Sequence, residues 1–138
     1  MTTLAEHPFP DTYWADPGRF LAGPLPFVED RAVVRERVAG LLELGIRTVI
    51  DLRTPVEEDP SIRTNLEKLA SGDVDPMWFG APLSNGSAPS VGQAQAILDL
   101  VDGSLARGRG VYLHCHGGLG RTGTLVACWW IRHGHFDP

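Results

Sequence analysis

The chain has 138 residues, of which 43% are hydrophobic and 21% charged, with a formal net charge of -5. That length predicts one domain over residues 1–138 with an apolar core of its own, and acidic residues spread along the chain argue against nucleic acid or an anionic membrane as partner. No basic stretch leads into an apolar run near the start, no segment approaches membrane-spanning length, and the two cysteines, Cys115 and Cys128, fit free thiols better than a disulfide framework, so a cytoplasmic protein is expected.

Asp16-Pro17-Gly18 is a turn tripeptide between Tyr13-Trp14 and Phe20-Leu21-Ala22, which predicts an opening hairpin, and Pro24 and Pro26 then break regularity. Over 30–44, Val34, Val38, Leu41 and Leu42 recur at the spacing of one helical face, with Gly45 as the stop. Residues 46–52 are rich in β-branched side chains and read as a short buried strand. A short helix is expected over 61–70, with Ile62, Leu66 and Leu69 on one face, and a strand over 74–79. The prolines, glycines and small polar residues of 80–89 make a loop, which Ser90 and Gln93 end as a capping box. Val91, Ala94, Leu98, Val101 and Leu105 then place one apolar face along a helix. Val111-Tyr112-Leu113 reads as a strand and 121–132 as a helix. Alternating helices and strands predict an α/β domain, a three-layer sandwich with a central, mostly parallel sheet flanked by helices.

The chemistry concentrates in His114-Cys115-His116-Gly117-Gly118-Leu119-Gly120-Arg121-Thr122, which leaves a strand and opens a helix. Gly117, Gly118 and Gly120 let successive backbone N–H groups turn toward one oxyanion, and the helix N-terminus adds partial positive charge. Arg121 can grip two phosphate oxygens side by side. The same field favours the thiolate of Cys115, the form that attacks phosphorus. A merely buried cysteine would leave the glycines and Arg121 without a role, whereas Cys128, on an apolar helix, reads as core packing. Cys115 with His114 and His116 does not make a metal site, because adjacent residues do not chelate one ion and no spaced partner motif accompanies them. His133 and His135 read as exposed or helix-capping residues.

Cys-x5-Arg followed by Thr, in this strand-loop-helix setting, resembles the signature loop of the protein tyrosine phosphatase superfamily. The form Cys-x-Gly-Gly-Leu-Gly-Arg is most similar to the dual-specificity and kinase-associated phosphatase branch. Residues 17–26 and 45–57 resemble the opening segment and the Leu-Arg strand end of the same proteins. The resemblance implies a phosphatase that hydrolyses phosphotyrosine, and also phosphoserine or phosphothreonine, in proteins. By it, Cys115 is the nucleophile forming a phosphocysteine intermediate, Arg121 the phosphate clamp and Thr122 the hydroxyl that helps the thiolate leave. His114 supports the loop from behind, and His116, Gly117, Gly118, Leu119 and Gly120 line the substrate with Arg121. No metal or organic cofactor is implied, and the partners are a phosphorylated protein or peptide and phosphate- or sulfate-type anions in the loop.

One position departs from the pattern. The family supplies its general acid as an aspartate from a loop before the cysteine, and in the matching segment here, 82–90, Asn85 stands in its place. An amide has no proton to give at neutral pH. Asp51 and Asp75 are the nearby acids, and Asp51 ends a strand whose carboxyl end faces the ligand crevice in such sheets. Three readings stay open: a natural enzyme with another acid, a phosphopeptide-binding pseudophosphatase, or an engineered change that traps substrate. A phosphoinositide phosphatase is a further alternative, weakened by the absence of lysines from the loop. A thiol-based reductase needs a resolving thiol, for which Cys128 is poorly placed. Asp137-Pro138 reads as the start of another helix, so the C-terminal helices of the fold are expected to be missing, through truncation or replacement by a partner.

Overall fold

The computed structural model describes residues 7–26, 30–54, 61–72, 74–84, 88–116 and 120–134. The opening hairpin pairs β1 (Tyr13–Asp16) with β2 (Phe20–Gly23) antiparallel, around a turn in which the Arg19 N–H donates to the Asp16 carbonyl at 3.0 Å. Then follow α1 (Arg31–Glu43), β3 (Ile46–Asp51), α2 (Ser61–Leu69), β4 (Met77–Gly80), α3 (Val91–Ala106), β5 (Gly110–His114) and α4 (Gly120–Arg132). The sheet runs β1-β2-β5-β3-β4, and every pairing after the hairpin is parallel.

The strands alternate faces as a two-residue period requires. Phe20, Ala22, Ile50, Val111 and Leu113 pack toward α3 and α4, together with Val101, Leu105, Leu125 and Trp129. Leu21, Val49 and Tyr112 pack the other way, against Val34, Val38 and Leu41 of α1 and Ile62 and Leu66 of α2. Two helical layers thus enclose the sheet, the three-layer α/β arrangement expected from the sequence. The Phe20 and Trp129 rings meet edge to face at 5.1 Å, and the Trp130 indole N–H donates to the Ala15 carbonyl at 2.9 Å, so α4 is fastened across the hairpin.

Helix ends follow their local chemistry. Asp30 caps α1 by accepting from the Ala32 N–H, and Gly45, at φ 87°, supplies the left-handed residue that stops it. The capping box at Ser90 and Gln93 is present in both directions. Gly110 has a different reason for being glycine: a Cβ there would stand 2.7 Å from the Gly45 carbonyl oxygen, where β5 enters beside β3.

Two expectations need correction. Val91 is not on a buried face but 74% exposed, and the core side of α3 is instead Ile97, Leu98, Val101, Ser104 and Leu105. Residues 91–96 are exposed apart from half-buried Ala94, so the first turn and a half of α3 extends past the packed layer. The strand expected over 74–79 begins only at Met77, because Val74 closes a turn with Ser71 through reciprocal backbone bonds and Pro76 has no N–H for a ladder. No helix among the described residues is long and apolar enough to cross a membrane.

Candidate active site

The carboxyl end of β5 places His114, Cys115 and His116 between two neighbouring chain segments. The Leu52 N–H, just past β3, donates to the His114 carbonyl at 2.8 Å, and the Leu25 N–H, past β2, donates to the His116 carbonyl at 3.1 Å. The backbone is therefore held on both sides of Cys115. Cys115 is itself only 3% exposed and joins the apolar layer under α3 and α4, whereas His116 is exposed.

Beyond the loop, Gly120 opens α4 and Arg121 is its second residue. Arg121 is buried, and its Nη1 donates to the Leu83 carbonyl at 3.1 Å and the Leu52 carbonyl at 3.4 Å. The Leu83 N–H in turn donates to the Leu52 carbonyl, and the Ala81 N–H to the Asp51 carbonyl. One guanidinium thus binds together the exit of β3, the chain leaving β4 toward position 85, and the start of α4. Thr122 is fully buried, and its hydroxyl has no hydrogen-bond partner among the described residues. Gly117, Gly118 and Leu119 of the loop, and Asn85 at the acid position, lie outside the described residues.

Beside His114 is a buried polar pair, Asp51 and Arg53, that the residue types do not single out. The Asp51 carboxylate accepts from the Arg53 backbone N–H at 3.0 Å, from Nε at 3.0 and 3.1 Å, and from Nη2 at 2.7 Å. Burial pushes this carboxyl up, but the hydrogen bonds from Arg53 and the guanidinium charge pull it further down, so Asp51 is ionised. The His114 Nε2 stands 3.9 Å from Asp51 Oδ2, and its Nδ1–H donates to the Cys115 carbonyl at 3.0 Å. A carbonyl only accepts, which fixes the ring proton on Nδ1. Complete burial lowers the His114 pKa despite the attraction of Asp51, keeping the ring neutral. Tyr112 stacks on His114 at 5.6 Å and donates its hydroxyl to the Pro24 carbonyl. Burial, then the negative charge of Cys115, raises the phenols of both Tyr112 and Tyr13.

These shifts set a pH dependence. A histidine whose pKa falls on folding is protonated more readily in the unfolded chain, so it removes stability as pH drops below its unfolded value of 6.5. Asp51, lowered on folding, contributes stability above its unfolded value of 3.8, which is lost as pH falls through the folded value. The thermal midpoint is therefore expected to decline between pH 7 and pH 5 (about two units spanning the histidine transition), and a His114→Gln variant to show a flatter profile. Equal slopes in the two proteins would rule out His114 as the source.

The remaining candidates separate clearly. Asp75 precedes β4, at the opposite end of the sheet from Cys115, and its carbonyl accepts from Arg109 Nη2. Asp51 does lie at the site's end of the sheet, but its carboxylate is committed to Arg53. His133 reaches Asp102 at 2.9 Å, in a cluster with Arg132 and the Trp129 indole that clamps α3 to α4. Cys128 packs half-buried against the apolar layer. Among the described residues no group of three or more His, Cys, Asp or Glu side chains could hold a metal ion.

This fold is shared with solved phosphatases. A kinase associated phosphatase whose catalytic-site cysteine is replaced by serine superposes with a TM-score of 0.70 at 19% identity, over 86% of this chain and 68% of that one. The family model described as "Polymorphic toxin system, DSP-PTPase phosphatase" matches residues 28–135. The chain belongs to that family, within the protein tyrosine phosphatase superfamily. It is similar to "Putative tyrosine phosphatase 067L" of Invertebrate iridescent virus 3, at 31% identity over 74% of this chain and 43% of the relative. It is also similar to "Phosphatidylglycerophosphate phosphatase PTPMT1" of Arabidopsis thaliana, at 30% identity over 86% of this chain and 32% of the relative. The chain thus spans less than half the length of these curated relatives.

Proposed function

We propose that this protein hydrolyses phosphate monoesters, foremost phosphotyrosine in proteins, through a phosphocysteine intermediate. The observation that carries the reading is the buried Arg121, held by two backbone carbonyls beside the strand exit that bears Cys115. Such a guanidinium is oriented before any anion arrives, which is how charge stabilisation in a transition state is made inexpensive. In the first step the Cys115 thiolate forms a bond to phosphorus while the phosphorus–oxygen bond to the leaving group breaks, and the departing oxyanion takes its proton from water. In the second, water attacks the phosphocysteine, phosphate is released and the thiolate returns. The Thr122 hydroxyl, one residue past Arg121 and without a hydrogen-bond partner among the described residues, supports its assignment as the donor that helps sulfur leave.

Leaving-group chemistry favours aryl esters. Tyrosine, with a pKa of about 10, departs unaided far more readily than an aliphatic alkoxide, and position 85 offers no acid to assist the latter. The test compares hydrolysis of matched phosphotyrosine and phosphoserine peptides and of a small aryl phosphate. A preference for the aryl substrates is expected, and equal rates on the two peptides would refute it. Binding of phosphopeptide without any release of product would favour a phosphopeptide-binding module instead.

A lipid substrate is the second reading, supported by the similarity to the Arabidopsis phosphatidylglycerophosphate phosphatase. Vesicles containing phosphatidylglycerophosphate or a phosphoinositide, assayed beside the peptides, separate the two. General acids contribute about 10²–10⁴-fold, so Asn85→Asp is expected to raise turnover on the phosphotyrosine peptide by about tenfold or more. An unchanged rate would show that position 85 does not face the leaving group.

A further inference from the structure

The Asp51–Arg53 pair takes part in neither step of the proposed hydrolysis, yet both side chains are 1% exposed. Burying two charges is a poor route to stability, because desolvation commonly offsets the attraction. What the pair achieves is geometric. Residues two apart on an extended segment point the same way, and Arg53 uses both its backbone N–H and its guanidinium on one carboxylate. That closes a short ring around Leu52. The Leu52 N–H donates to the His114 carbonyl, directly before Cys115, and the Leu52 carbonyl accepts from Arg121 and from the Leu83 N–H. The two polar groups of a single residue therefore connect the nucleophile's strand to the clamp arginine, and the ion pair fixes both flanks of that residue.

We propose that Asp51 and Arg53 act together as positioning residues for the phosphate site, orienting Arg121 through the Leu52 carbonyl and balancing the charge beneath Cys115. This rests on the phosphatase reading of the site. Tyr13 on β1 and Tyr112 on β5 feel the charge of Cys115, and His114, directly before it, stands beside Asp51 and Arg53 at the exit of β3, while α3 presents the apolar Ile97, Leu98 and Val101 to the layer that Cys115 joins. With both tyrosines and His114 neutral, Asp51 and Arg53 are the charged pair that faces His114 among the described residues.

The experiment titrates the Cys115 thiol by its ultraviolet thiolate absorbance, each variant being read against the same protein carrying Cys115→Ser. Arg53→Met leaves Asp51 uncompensated and is expected to move the thiol titration up by about half a pH unit or more; Asp51→Asn is expected to move it down, and the double variant to return it toward wild type. Shifts in the same direction, or no shift, overturn the proposal, since loss of packing alone has no sign. Arg53→Lys keeps the charge but loses the fork: its thiol titration is expected to match wild type while inorganic phosphate binds several-fold more weakly. Unchanged phosphate affinity in that variant overturns the orienting role. If near-ultraviolet circular dichroism shows that Arg53→Met does not fold, Asp51→Asn and Arg53→Lys decide by the same criteria. Wild-type protein that hydrolyses no phosphate ester would refute the phosphatase reading and still leave the thiol titrations interpretable.

Discussion

Cys115→Ser is expected to reduce hydrolysis of a phosphotyrosine peptide by about 10⁴-fold or more, because removing the nucleophile of a covalent mechanism takes with it the steps that depend on it. A field that stabilises a thiolate does not ionise an alcohol, and the basic Nε2 of His114 is turned toward Asp51 while its Nδ1–H faces the Cys115 carbonyl. Affinity for the phosphopeptide is expected to stay within a few-fold of wild type, since the proposed function assigns binding to Arg121 and the loop backbone. Single-turnover kinetics with isothermal titration distinguish the two effects. Residual turnover above about one-hundredth of wild type would mean that the reaction does not pass through Cys115.

Arg121→Lys keeps the charge and removes the fork. Nη1 already serves the Leu52 and Leu83 carbonyls, and a lysine ammonium is a point donor that cannot serve those carbonyls and two phosphate oxygens together. Loss of oriented transition-state stabilisation predicts a fall in kcat/KM of about 10²–10³-fold, carried more by kcat than by KM. The Leu83 carbonyl loses its donor and the Leu52 carbonyl keeps only the Leu83 N–H, which adds a stability cost of about 1–3 kcal/mol, visible as a lower thermal midpoint. A lysine variant within about tenfold of wild-type kcat/KM would show that the forked geometry is not required.

Much of the molecule is legible in the sequence where local chemistry decides the outcome. The turn at Pro17-Gly18, the stop at Gly45 and the capping box at Ser90 and Gln93 are self-contained signals, and each ends or begins an element where expected. Cys115, Arg121 and Thr122 stand out because three glycines and an arginine so soon after a cysteine serve no purpose in core packing. What the sequence hides depends on tertiary packing. The carbonyls of Leu52 and Leu83 carry no side-chain signature, so the seating of Arg121 cannot be read from residue types. Asp51 is a plausible acid for the site by sequence, whereas its carboxylate is bound to Arg53; the alternation Asp-Leu-Arg at a strand end is the available signal, two side chains of opposite charge on one face. Val91 fits the apolar stripe of α3, but periodicity does not say where the sheet beneath a helix stops.

The position of β5 in the strand order bears on how the protein reaches its working state. β2 and β3 are successive strands in sequence, yet they pair with β5 and not with each other. A nascent chain released only as far as residue 109 would hold a hairpin and a β3–β4 pair, each with one edge unsatisfied. The last strand therefore closes the sheet and delivers His114 and Cys115 in the same event. Folding by late insertion between distant partners is slow compared with local pairing, and it exposes strand edges that invite aggregation until it is complete. Among the described strands, Cys115 therefore reaches the candidate site only when β5 has paired with both β2 and β3.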